Sequence, residues 1–294
     1  MYKYNRFGPL CPTCLGNNLK DRSAGLVIAY NFIEGGNRQL DIVDSSNYNN
    51  EPNYHDTHVY GNILIENNDG NRQMVHYGGD GSTANYRTGT LHFYHNTLLS
   101  VRTGMTTLVR LSSDQTSMDA RNNIIYSVDN NIELLAEKRG TLYLRNTWLR
   151  SGYTYWVEAT HGGTVVEEGT ILETGSIFAD PNFAADPYDL HLVASLLLGT
   201  TLASGVPPVD MEYMHHMSSK ARASMDLGAF GYGQTVVTPQ PTSPPTAPPT
   251  SSPTSPPTHA PSISPTYAGF CSDNSGRCMI GGDASSCDCY GGGG

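Results

Sequence analysis

Charged residues are scarce in this sequence. Only 15% of its 294 residues are Asp, Glu, Lys or Arg, against about 25% in an average domain. That excludes a coiled coil and a charge-swollen disordered chain. Lys and Arg number 17 against 27 Asp and Glu, a formal net charge of −10. The clustered cations that nucleic-acid phosphates require are lacking, so no nucleic-acid partner is expected. Long apolar runs are also missing. The most apolar stretch, Leu190–Leu198, is broken by His191 and Ser195, and it falls well short of the roughly 20 residues that span a bilayer. No membrane span is expected. The N-terminus lacks an apolar leader, since Met1 is followed by Tyr2, Lys3, Tyr4, Asn5 and Arg6. The repeat described below is already running by about residue 18. Residues 1–17 are therefore expected to be the edge of a truncated chain, with its export signal lost upstream.

The sparse charge is unevenly spread. Residues 1–40 hold Lys3, Arg6, Lys20, Arg22 and Arg38 against Asp21 and Glu34, a balance of +3, and the remainder holds 12 basic and 25 acidic residues, a balance of −13. An anionic ligand meets a favourable field only near the N-terminal end. From Leu227 to Ser272 there is no charged residue, and between Thr238 and Thr266 11 of 29 residues are Pro and 13 are Ser or Thr. Such a segment loses a backbone donor at each Pro and cannot bury a core. Residues 234–269 accordingly read as a disordered polyproline-like linker, either an O-glycosylated stalk or a bare spacer. Residues 270–294 carry Cys271, Cys278, Cys287 and Cys289. Their spacing lacks the paired knuckle of a zinc site, so they read as a small disulfide module of an oxidising compartment. Cys11 and Cys14 form a separate C-x-x-C, read as a local disulfide or as the edge of a fragment.

What the chain does have is an internal repeat over residues 18–233. A short apolar strand leads to Asn, one further residue and another apolar residue. The copies centre on Asn31, Asn62, Asn96, Asn122 and Asn146, with Gly169 as a degenerate one, at spacings of 31, 34, 26, 24 and 23 residues. The pieces between are short and β-branched, without sustained helical periodicity, and so read as strands. Three short strands and three turns fill about 23 residues at a rise of about 3.3 Å each, which is one coil of a parallel β-helix. The fold class is thus all-β, a single-stranded right-handed parallel β-helix. The longer spacings imply insertions, at Ser45–Thr57 and Gly78–Gly89. Asn tolerates left-handed backbone angles, and amides stacked at one corner can bond each other up the solenoid. The five Asn residues are expected to be structural.

Aligning one strand from each coil sets Leu19-Lys20-Asp21 beside Leu40-Asp41-Ile42, then Met74-Val75-His76-Tyr77, then Leu108-Val109-Arg110-Leu111. With Leu19, Leu40 and Met74 turned inward, alternation places Lys20, Asp41, Val75 and Tyr77 on the outer face. A slip of one residue reverses every assignment, His76 and Arg110 above all.

Asn18-Leu19-Lys20-Asp21-Arg22-Ser23-Ala24-Gly25-Leu26-Val27-Ile28, with Tyr30-Asn31-Phe32-Ile33-Glu34-Gly35-Gly36 after it, resembles β-helix proteins of the pectate-lyase-like group. Phe178-Ala179-Asp180-Pro181-Asn182-Phe183, Asp189-Leu190-His191-Leu192 and Asp226-Leu227-Gly228-Ala229-Phe230 resemble that group's closing coils. The position of Lys20, 11 residues before Asn31, is similar to that of the base in lyases like chondroitinase B and the related alginate lyases. The resemblance implies that this Lys abstracts a uronate C5 proton with help from an Arg. Here Asp21 follows the Lys and Arg38 is the nearby candidate. Lys20 would need a lowered pKa, which Arg22 and Arg38 are expected to provide by like-charge repulsion.

Lys20, Arg38 and His76 are therefore the candidate catalytic residues, His76 as donor to the leaving oxygen. Arg22 and Tyr77 are candidates for substrate contact. So are His55 and His58, which flank Asp56 and Thr57 at the end of the first insertion. Asp41 and Asp44 would repel a uronate unless a cation bridged them, so calcium held by these two carboxylates is the expected cofactor. The function expected is that of a secreted or surface carbohydrate-active protein cleaving an acidic, uronate-containing polysaccharide by β-elimination. A non-catalytic glycan-binding or wall-structural β-helix and a glycoside hydrolase are the alternatives.

Overall fold

The computed structural model describes residues 1–11, 14, 16–68, 70–136, 139–155, 163–173, 177–178, 188–196, 201–215 and 217–232. The Pro/Ser/Thr linker and the Cys-rich module lie outside the described residues, as do Ala179–Phe183 of the third motif above. The described chain belongs to a compact unit, Met1–Val236.

Short strands stack into three parallel sheets. The first runs from Tyr2–Lys3 to Thr164–Glu168, the second from Arg6–Phe7 to Ile171–Glu173, and the third from Leu19–Asp21 to Ile132–Ala136. Each of the first five coils gives one strand to each sheet in turn, and the next two give strands to the first and second among the described residues. The coil of Val27–Ala29, Phe32–Glu34 and Leu40–Ile42 pairs with that of Asp56–Tyr60, Ile63–Glu66 and Gln73–Tyr77. This is the expected parallel β-helix. It starts earlier than residue 18: Tyr2–Lys3 and Arg6–Phe7 already pair with the next coil, and Cys11 and Cys14 form a disulfide beyond them. Both insertions leave the third sheet and return to the first, and each contains a 3-10 turn, Pro52–His55 and Thr83–Asn85.

Inward-pointing residues of equivalent position stack into aliphatic columns. Ile33, Leu64, Leu98, Ile125 and Leu149 are in register in the second sheet, and Leu19, Leu40, Val75, Val109 and Leu135 in the third. All ten are buried in one core, each contributing about 1.5–3 kcal/mol relative to exposure. The third-sheet register corrects the alignment above. Val75, not Met74, lies level with Leu40, so His76 joins Lys20 and Asp41 on the outer face. Tyr77 falls level with Ile42 and is wholly buried in the core, where it cannot line that face. The one-residue slip arose because Met74 and Val75 are both apolar and both buried.

The Asn ladder exists at the corner between the first and second sheets, with one correction. Asn5, Asn31, Asn62 and Asn96 each donate from Nδ2 to the Oδ1 of the next rung at 2.9–3.2 Å, and the last acceptor is Asn123. Asn122 and Asn146 occupy the preceding position, where the backbone is left-handed (φ 55° and 43°), alongside Tyr30, Gly61 and His95 (φ 56°, 64° and 51°). The corner thus needs two residues with different duties: one bends, the next bonds. In Asn122-Asn123 both are Asn, which hid the offset. Gly61 is doubly required, because a Cβ there would lie 2.5 Å from the Tyr30 ring.

Among the described residues, the expected closing coils add no further parallel rung to the stack. Phe178 and Leu192 pair with each other antiparallel, and Met211–Met214 pairs antiparallel with Ser218–Ala221. The described parts of 177–232 lie instead along the outside of earlier coils. Gly228 N donates to Asn122 O at 2.8 Å and Ala229 N to Thr97 Oγ1 at 2.9 Å. Phe178, Leu192, Tyr213, Leu227 and Phe230 bury the outward residues Phe32, Ile63, Leu99, Ile124 and Trp148 of the second sheet.

Candidate functional site

The outer face of the third sheet gathers most of the predicted site. In-register pairing puts Lys20, Asp41, His76 and Arg110 at equivalent positions on four successive strands. Parallel strands lie about 4.8 Å apart, so side chains from neighbouring rungs meet. Lys20 Nζ sits 2.8 Å from Asp41 Oδ2 and 2.8 Å from Asp80 Oδ2. Asp41 Oδ1 lies 2.7 Å from His76 Nδ1, and Asn17 Nδ2 donates to Asp41 Oδ2 at 2.6 Å. His76 Nε2 is 2.8 Å from Ser112 Oγ. Arg38 Nη1 stands 3.9 Å from Asp41 Oδ1, while its Nε and Nη2 donate to Gln73 Oε1.

A second group flanks this one. Arg22 Nη1 donates to the Asp44 carbonyl oxygen and lies 3.4 Å from Asp44 Oδ1, with Nη2 at 3.4 Å from Asp80 Oδ1. Asp44 Oδ1 also accepts the backbone N–H groups of Asp80 and Gly81 at 2.9 and 3.3 Å. The start of the second insertion is thereby tied onto the charged face, and Asp80 links Lys20 to Arg22. The Lys20 side chain is 37% exposed and that of Arg22 46%, whereas Asp41 and His76 are covered.

Electrostatics revise the expected role of Lys20. Burial alone would lower its ammonium, but hydrogen bonds and charge from Asp41 and Asp80 outweigh burial and hold it above its ordinary value. Like-charge repulsion from Arg22 and Arg38 does not decide the matter, because the carboxylates are closer. Lys20 is a fixed cation here, not a lowered base. Burial would raise the Asp41 carboxyl, yet bonds to His76 and Lys20 bring it down to about 2, so it is ionised. Asp80 is held low, chiefly by its bond to Lys20. Since a carboxylate only accepts, His76 Nδ1 carries the proton toward Asp41, and Nε2 faces the Ser112 hydroxyl.

Asp41 and Asp44 do not compose a calcium cage among the described residues. Their oxygens already face an ammonium, an imidazole, a side-chain amide, a guanidinium and two backbone N–H groups. No group of three or more His, Cys, Asp and Glu suited to a metal is gathered among the described residues.

The remaining predicted residues lie elsewhere. His55 Nδ1 is 2.9 Å from Thr88 Oγ1 and its Nε2 is 3.1 Å from Asn49 O. His55 thus clips the two insertions together, beside the buried Arg87, which stacks on Tyr54 and donates to the Tyr54 and Ser23 carbonyls. His58 belongs to the first sheet. It stacks on His92 at 5.1 Å, and both Nε2 atoms point to Asp56 at 3.4 and 3.2 Å. Burial, then the charge of His58, pushes His92 below its ordinary value. Ser112, Asp80 and Asn17 were not foreseen. Ser112 was within reach of the alternation rule, lying two residues beyond Arg110 on one strand face, whereas Asp80 and Asn17 sit in turns that obey no such rule.

Set against protein-family models, curated proteins and solved structures, the chain matches none.

Proposed function

We propose that the protein is a secreted or surface carbohydrate-active β-helix of the pectate-lyase-like kind, which cleaves a uronate-containing polysaccharide by β-elimination on the outer face of the third sheet. The observation that carries this reading is the oriented Asp41–His76 pair, set among the cations Lys20, Arg22 and Arg38. An imidazole whose Nδ1–H is fixed by a carboxylate presents Nε2 as a general base. Nε2 takes the C5 proton, the C4–O bond breaks, a C4–C5 double bond forms, and the leaving oxygen takes a proton from water. The C5 proton becomes acidic once the sugar carboxylate is neutralised, and Lys20 and Arg22 are the exposed cations on that face. In this assignment His76, rather than Lys20, is the base, and Lys20 binds the uronate.

The test is to incubate the protein with alginate and with pectate and follow the ultraviolet absorbance of the unsaturated product. Absorbance is expected to grow with wild-type protein and to vanish with His76→Ala. Reducing ends without absorbance would mean a hydrolase. A second reading rests on the burial of His76, whose side chain is only 1% exposed. The network then braces the face, and the protein binds glycan without cleaving it. Retention on immobilised polysaccharide with no product of either kind is its signature.

A further inference from the structure

The hydrogen-bonded line does not end at His76. Ser112 Oγ to His76 Nε2 is 2.8 Å and His76 Nδ1 to Asp41 Oδ1 is 2.7 Å, so Ser, His and Asp stand in the order and at the spacing of an activated serine. Three strands of the rigid sheet hold them, since Asp41 lies in Leu40–Ile42, His76 in Gln73–Tyr77, and Ser112 directly follows Thr106–Leu111. Both ends of the line are anchored. Asp41 is fixed by Lys20 and Asn17, and the Ser112 backbone N–H donates to Tyr77 O at 3.1 Å. Ser112 is 6% exposed, and the residue over it is Gly78, where a Cβ would stand 2.8 Å from the Ser112 Cβ. A side chain at position 78 would crowd the hydroxyl.

We infer that Ser112 is a nucleophile and that this face carries an esterase activity toward small O-acyl groups, such as acetyl esters on a sugar. His76 Nε2 takes the Ser112 hydroxyl proton as Oγ adds to the acyl carbon. The ester C–O bond breaks, the sugar oxygen leaves with the proton returned by His76, and water, deprotonated by the same imidazole, releases the acid from Ser112. The reaction consumes only ester and water. Asp41 is a positioning residue that fixes the tautomer of His76. The Ser113 hydroxyl, next along the chain, is buried without a hydrogen-bond partner. A small acyl group suits the narrow exposure of Ser112. The inference shares His76 with the elimination proposed above but does not require that reaction.

The test is covalent labelling of the full chain with a fluorophosphonate, followed by peptide mass spectrometry, beside hydrolysis of p-nitrophenyl acetate. Label is expected on Ser112 in the wild type, and both label and hydrolysis should be lost in Ser112→Ala and His76→Gln. Asp41→Asn should slow both by roughly a hundredfold or more and move the acid limb of the pH–rate profile, which a merely structural role would not do. Circular dichroism melts confirm that the variants are folded. Wild-type protein that melts natively but carries no label on Ser112 overturns the inference, whatever the variants do. Labelling without unsaturated product would sink the elimination and leave the nucleophile standing, and the reverse result would do the opposite.

Discussion

The second and third sheets share one backbone plan and differ in what their outward residues are. Along the second sheet, Phe32, Ile63, Leu99, Ile124, Tyr126 and Trp148 point out, and residues of the 177–230 segment cover them. Along the third, Lys20, Asp41, His76 and Arg110 occupy the outward column, and the start of the second insertion is moored to it by Asp44 and Asp80. A parallel β-helix fixes the inward columns and leaves the outward ones open. Apolar outward columns recruit chain to bury them, while charged ones pair among themselves and keep a partly exposed surface. The difference locates the site, because function concentrates on loops and faces held by a rigid scaffold.

The largest effect should come from breaking the covered side. Trp148 is fully buried, 6.0 Å from Tyr126 in a stacked arrangement. Trp148→Ala is expected to cost about 3–5 kcal/mol in denaturant unfolding, through lost contacts and a residual cavity. A loss below about 1 kcal/mol would mean that the second sheet's outer face is not the buried core described here.

The corner that joins the first and second sheets gives the next effect, and it marks where sequence reasoning reached its limit. Asn123→Ala removes the acceptor of Asn96 and leaves buried N–H groups unpaired, at about 1–3 kcal/mol. Asn146→Gly should change stability by less than about 1 kcal/mol, since glycine takes the left-handed angle without strain. Equal costs at the two positions would remove the division between bending and bonding residues. The repeat itself was legible because solenoid coils return the same residue types at a fixed period, and this also located both insertions. Which of two adjacent asparagines bonds is a matter of backbone angle that composition does not encode. The Tyr77 and Met74 assignments failed for a related reason, since a two-residue period cannot orient a strand whose consecutive residues are both apolar. The destination of 177–232 was illegible because its contacts join residues far apart in the chain, such as Tyr94 with Pro207, 113 positions apart, and Tyr30 with Asp210, 180 apart. Lys20, Asp41, His76, Arg22 and Asp44 were found together because stacking brings residues of equal phase together. Ser112, at the far end of the line, was passed over.

Acid should separate the two sides further. His95 lies at the covered corner, its Nδ1 3.0 Å from Asp226 O and its Nε2 3.1 Å from Asn122 Nδ2. One nitrogen donates and the other accepts, so only the neutral ring fits. Burial, then the charge of Arg222, lowers its pKa to about 3. The unfolded chain therefore binds this proton first, and stability is full above pH 6.5 and falls as pH descends toward about 3. Going from pH 6.5 to 5.5 should remove about 1 kcal/mol through this group, and His92 acts in the same direction. Asp41 behaves differently: its contribution is held above pH 3.8 and is lost only as pH falls through about 2. His95→Asn should flatten the dependence of Tm on pH between 6.5 and 5.5. An unchanged slope would remove His95 as its source.

The smallest effect on stability is expected on the open face, which makes it the sharpest check of the contrast. Lys20 joins Asp41 and Asp80, but its side chain is 37% exposed and Asp80 is 40% exposed. Solvent screens such pairs, so Lys20→Ala should cost about 0–1 kcal/mol. Asp41 keeps its bonds to His76 and Asn17 in that variant, which limits the penalty of leaving a buried carboxylate. The change should instead appear as a rise in the pH at which Asp41 protonates, read by NMR titration of its carboxyl carbon, because one of the partners that hold it ionised has gone. A loss on the scale of Trp148→Ala would mean that the charged face holds the fold together as the apolar face does. The third sheet would then be built for stability, and the residues gathered on it would no longer stand out as a site.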